Sequence, residues 1–121
     1  MAEKPDVNGP PAAAAPEEIE EWRRRIDVID TQLMRLLNSR SACAVEIGRI
    51  KKRVGLAAYN PEREARILER VVRESPGPLQ PEAVRRVFER IIDESRRLER
   101  LVITDGEEAV LQPPAPKPDE R

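Results

Sequence analysis

Histidine is absent from the 121 residues, cysteine occurs once, and tryptophan, tyrosine and phenylalanine occur once each. Each shortage removes a class of function. With no imidazole and with Cys43 alone, there is no zinc or haem ligand set, no Ser-His or Cys-His nucleophile pair, and no disulfide within the chain. Three aromatics leave almost nothing on which nucleic-acid bases could stack. No apolar run approaches the roughly 20 residues of a membrane span, and Ala12 to Ala15, set between prolines, is too short for the core of a signal peptide. The expectation is one domain at most, cytoplasmic, with neither membrane nor nucleic acid as a partner.

What is abundant is charge, and it is segregated. Residues 1–22 carry a net −5, residues 23–100 a net +7 and residues 101–121 a net −3, within an overall −1. Eighteen of the 22 cations are Arg, which favours planar, bidentate recognition of carboxylate or phosphate. Acidic residues are interleaved through the basic middle, so a small anionic ligand fits it better than a nucleic-acid backbone.

Eight of the twelve prolines fall in the two ends, and residues 1–16 and 105–121 read as disordered Pro-rich tails around a domain at 17–104. Within that domain strand signals and internal repeats are lacking and helical periodicity is strong. A first helix opens after Pro16, with Glu17, Glu18, Glu20 and Glu21 complementing the positive end of its dipole. Its apolar seam of Trp22, Ile26, Ile29, Leu33, Leu36, Arg40, Cys43, Ile47, Ile50 and Val54 is spaced alternately four and three, and ends at Gly55. Such a helix is about 55 Å long at 1.5 Å per residue, more than one small subunit can cover.

Asn60-Pro61 starts a second helix carrying Glu64, Ile67, Leu68, Val71 and Val72, which stops at Ser75-Pro76-Gly77-Pro78. Gln80-Pro81-Glu82 opens a third, with Val84, Phe88, Ile91, Ser95, Leu98 and Val102 as its seam. The fold class is therefore all-α, one long helix and two shorter ones. Their apolar stripes exceed what three helices can hide, which implies a helical homodimer with the long helices paired.

Three seam positions are polar: Arg40, Glu64 and Ser95. Arg40 and Glu64 can form a buried ion pair that specifies register. Alternatively all three face a polar cavity between helices, where bundles build their sites. Arg40 and Lys51 are 11 residues apart, so they share a face about 16 Å apart with Ile47 between them. Arg63 adjoins Glu64, and Glu99 lies one turn beyond Ser95. The set holds no nucleophile, metal or cofactor, so any catalysis must come from positioning and electrostatics.

The segments Trp22 to Lys51, Asn60 to Glu64 (NPERE) and Phe88 to Glu99 (FERIIDESRRLE) resemble the all-helical class of chorismate mutases. The likeness covers nearly all of residues 18–103. It implies an intertwined homodimer with two equivalent sites, and a concerted, cofactor-free Claisen rearrangement of chorismate to prephenate in phenylalanine and tyrosine biosynthesis. Carried over, Arg40 and Arg63 of one subunit and Arg23 of the other hold the substrate's two carboxylates. Lys51 hydrogen-bonds the ether oxygen that gains charge as the bond breaks, Glu64 accepts from the ring hydroxyl, and Asn60 and Ser95 line the site. Arg23 and Arg40 are 17 residues apart, close to 26 Å along one helix, so they cannot reach one small ligand from the same chain.

Three positions depart from the family pattern. Glu99 stands where many members have Gln, Asn60 where Asp is frequent, and Arg96 where an apolar side chain is common. Glu99 must be protonated to donate to the ether oxygen, because an ionised carboxylate only accepts. Two other functions fit the same residues: an isochorismate-pyruvate lyase, and a non-catalytic helical module that regulates a partner enzyme of the shikimate pathway. The cations Arg23, Arg40, Lys51 and Arg63 argue against the module, which has no need of a pocket for a dianion.

Overall fold

A computed structural model describes residues 15–106 as three helices, α1 (Ala15–Val54), α2 (Pro61–Glu74) and α3 (Pro81–Asp105), with no strand among the described residues. The two tails drawn from the sequence lie outside the described residues, apart from their inner ends. There α1 begins at Ala15 rather than after Pro16, and α3 runs one residue past the expected Thr104. Proline at the second helical position costs nothing, since the N–H it lacks has no partner in the first turn. No helix among the described residues is long and apolar enough to cross a membrane.

The chain divides into two units, Met1–Leu37 and Asn38–Arg121. In the first, the described residues are the opening turns of α1. They are stabilised locally by i,i+3 ion pairs of Arg23 with Glu20 and Arg24 with Glu21, both 2.8 Å, and by Arg25 stacked 4.5 Å from the Trp22 ring. Their apolar stripe is uncovered within the chain: Trp22 is 61% exposed and Leu36 67%, with Ile26, Ile29 and Leu33 all near half.

The second unit packs the last turns of α1 against α2 and α3 around Ala44, Val45, Ile67, Val84, Ile92 and Val102. This corrects two expectations. On α1 the buried residues are Ala44, Val45 and Gly48, while the seam residues Ile47, Ile50 and Val54 are exposed. On α3 Ile92 is buried in place of Ile91, which is half-buried with Phe88 and Leu98. The reason is size. A Cβ on Gly48 would stand 3.0 Å from Val102 Cβ and 3.2 Å from Glu99 Cα, so α1 meets α3 on its own smallest residue and leaves the bulkier α1 stripe outside that contact.

The helix ends follow the sequence punctuation. Gly55 takes a positive φ of 78°, and Leu56 N donates to Lys51 O at 2.8 Å, which closes α1 in a Schellman-type turn. Asn60 caps α2, its Oδ1 accepting from Arg63 N at 3.2 Å ahead of Pro61.

Candidate active site

A cavity of about 280 Å³ opens in the second unit, lined from all three helices and the connector between α1 and α2. That is the scale of a small-metabolite site. Ala44, Ile47, Ile67 and Ile92 give it apolar walls, and Arg40, Lys51, Arg63, Arg96, Glu64 and Glu99 supply its charge. Asn60 and Ser95 complete the set expected from the sequence, so seven of the eight candidate residues meet in one cavity. Arg23 is not among its lining residues; it is exposed and paired with Glu20.

Lys51 owes its position to the end of α1. The chain turns at Gly55 and returns so that Ala58 O accepts from Lys51 Nζ at 2.8 Å. The same Nζ lies 2.8 Å from Glu99 Oε1, with both side chains largely closed to solvent. The two groups stand at ion-pair distance but off the directions of a hydrogen bond, so buried Glu99 Oε1 has no hydrogen-bond donor. Lys51 and Glu99 are thus in contact at one wall of the cavity.

Arg40 and Glu64 do not pair. Arg40 Nη1 donates to Ser95 Oγ, and Glu64 accepts from Arg96 Nη1 at 2.7 and 2.9 Å. The polar seam positions therefore face a cavity, as the second of the two readings required. Arg40 has no carboxylate partner among the described residues. Burial, and then the neighbouring cations Arg63 and Arg70, lower its pKa from the ordinary guanidinium value. An arginine keeps its proton in a protein, so the shift expresses burial in a crowded positive field that the charge of Glu99 relieves only in part.

If both acids are ionised, Glu99 offsets Lys51 and Glu64 offsets Arg96, and Arg40 and Arg63 are left as two uncompensated cations in the lining. Two guanidiniums suit two carboxylates on one ligand. Asn60 lines the cavity, but its carbonyl oxygen already serves the α2 cap, leaving only the amide NH₂ for a ligand.

Arg96 is a lining residue to which the sequence assigned no role. Its signal was present: Ile92, Arg96 and Glu99 are spaced four and three along α3, a second stripe beside the expected seam. Only contacts across helices turn that stripe into a wall of the cavity.

Over residues 22–100 the chain matches the family described as chorismate mutase type II. The bifunctional chorismate mutase/prephenate dehydratase of Aquifex aeolicus (strain VF5) is 37% identical over 90 residues, 71% of this chain and 25% of that protein. The enzyme of the same description from Neisseria gonorrhoeae is 42% identical over 78 residues, 64% of this chain and 21% of its own length. The chain thus spans about a quarter of the length of these curated relatives. Among solved structures, a chorismate mutase (form II) from Thermus thermophilus is similar at TM-score 0.67 and 35% identity, covering 69% of this chain and 94% of that one.

Proposed function

The chain belongs to the chorismate mutase type II family, and from that premise we propose that it converts chorismate to prephenate by an intramolecular Claisen rearrangement. One observation supports this most: the two guanidiniums without carboxylate partners, Arg40 and Arg63, in a small cavity that also holds Lys51. The substrate is a dianion. Its carboxylates are held by Arg40 and Arg63, with the partner subunit's Arg23 as the third cation.

The reaction needs confinement of a flexible molecule in a chair-like conformer, which the apolar walls and the carboxylate anchors supply. It also needs stabilisation of the negative charge that grows on the ether oxygen. Lys51 has three N–H donors; one goes to Ala58 O and one faces Glu99, and the third meets that oxygen. Glu64 accepts from the ring hydroxyl, and a protonated Glu99 donates beside Lys51. No covalent intermediate or cofactor enters these steps.

Two copies of the chain form the working unit in this reading, intertwined through their long helices. The apolar stripe from Trp22 to Leu36, exposed along the first unit, is the surface that a second copy covers. The bifunctional relatives are named for a prephenate dehydratase as well as a mutase, and an enzyme activity that consumes prephenate is the matching partner for this chain. The test is incubation of purified protein with chorismate, followed by identification of the product. Prephenate supports the reading; pyruvate release or unchanged chorismate contradicts it. Sedimentation should give twice the 13.8 kDa of one chain.

A further inference from the structure

Among the described residues, the Glu64 carboxylate has one charged partner: Arg96, whose Nη1 donates to both oxygens at 2.7 and 2.9 Å. Arg96 is itself fixed from three directions. Nη2 donates to Asp93 Oδ1 at 2.8 Å one turn back on α3, the guanidinium carbon sits 5.3 Å from the Tyr59 ring centroid on the connector before α2, and Nη1 reaches Glu64 on α2. Both side chains of the Arg96–Glu64 pair are mostly shielded from solvent, at 24% and 21% exposure. The hydrogen bond to Glu64 also raises the Arg96 pKa, so the pair is charge-assisted.

A glutamate near a helix start has several accessible rotamers, and choosing one costs side-chain entropy. A fork held on three sides makes that choice in advance of any ligand. A carboxylate held in this way only accepts hydrogen bonds and so selects a ligand with a donor at that point. We propose that Arg96 is a positioning residue that presents Glu64 as a fixed acceptor to the substrate's ring hydroxyl, and so sets the preference for a hydroxyl-bearing ring. The inference rests on the chorismate reading and assigns a role to a residue that reading does not use. Arg96 acts through Glu64 and need not touch the substrate.

A double-mutant cycle tests this, with kcat and KM measured for chorismate and for an analogue lacking the ring hydroxyl. The proteins are wild type, Arg96→Met, Glu64→Ala and the double variant. Arg96→Met should lower kcat/KM for chorismate about tenfold in the wild-type background, within the range for coupled charged neighbours, and by less than about twofold in the Glu64→Ala background. Its preference for chorismate over the analogue should shrink by a similar factor, which general loosening of the fold would not produce. Circular dichroism checks folding. If Arg96→Met does not fold, Arg96→Gln, which keeps a polar side chain but removes the charge, takes its place in the same cycle. Equal losses in both Glu64 backgrounds with an active wild type overturn this inference alone. A wild type that leaves chorismate unchanged overturns the functional reading, and this inference with it.

Discussion

Lys51 Nζ and Glu99 Oε1 stand 2.8 Å apart in the wall of the cavity, with their side chains only 15% and 13% exposed. An ionised Glu99 beside the ether oxygen adds negative charge where the transition state already gains it, whereas the protonated acid donates a hydrogen bond there. Glu99→Gln, a permanent donor, should therefore keep or raise kcat/KM, whereas Glu99→Ala, which cannot donate, should lower it about tenfold or more. Steady-state assays of the three proteins, with circular dichroism to confirm folding, check this; equal losses in the two variants would show that residue 99 is not the donor.

Gly48 determines how closely α1 meets α3. Alanine is intrinsically the better helix residue by about 1 kcal/mol, yet here its Cβ would meet Val102 Cβ at 3.0 Å and the Glu99 backbone at 3.2 Å. Neither neighbour is the far end of a flexible side chain, so α3 must shift. Gly48→Ala should lower Tm by several degrees, and should lower kcat because the shift carries Glu99 away from Lys51. An unchanged or raised Tm with full activity would mean that the helices separate freely at this point.

Asn60 separates capping from ligand contact. Its Oδ1 accepts from Arg63 N, and losing a side-chain cap costs about 1 kcal/mol. Asn60→Ala should lower Tm by a few degrees, whereas Asn60→Asp, which retains an acceptor, should keep the wild-type Tm. Thermal melts of the two variants check this. A stable Asn60→Ala would make the cap unimportant.

Four of the six helix ends were legible in the sequence because glycine and proline mark them, at Gly55, Asn60-Pro61, Ser75-Pro76 and Gln80-Pro81, whereas α1 begins one residue before Pro16 and α3 runs one residue past Thr104. The cavity residues were legible because Arg40, Glu64 and Ser95 interrupt apolar seams, where an unpaired polar group is costly. Pairing across helices was not. Seam spacing fixes which face of a helix is apolar but not how far a neighbour is rotated or how near it comes, so Arg40 and Arg96 were equally able to meet Glu64. The small Ala44 and Gly48 side chains decided the packing of α1 and contribute little to a hydrophobic pattern.

The proposed division of the site between subunits has a direct consequence. Arg23 is not in the lining of the cavity that contains Arg40. Arg23→Ala and Arg40→Ala proteins, each inactive alone, should regain some activity when mixed and allowed to exchange subunits, because some mixed dimers contain one site with both arginines. Assays before and after exchange, with dimer formation followed by native mass spectrometry, check this. Mixed dimers without recovery would place both arginines in the same subunit's site or neither in any.

In the proposed reaction Lys51, held by Ala58 O and Glu99, acts on charge that exists only in the transition state. Removing such an interaction lowers kcat rather than merely raising KM. The most direct measurement is the rate of prephenate formation at saturating chorismate for wild type and for Lys51→Ala, with both confirmed folded and dimeric. The predicted result is efficient conversion by wild type and a kcat lower by about 10²-fold or more in Lys51→Ala. An unchanged kcat in the folded variant, or no prephenate from wild type, would contradict it.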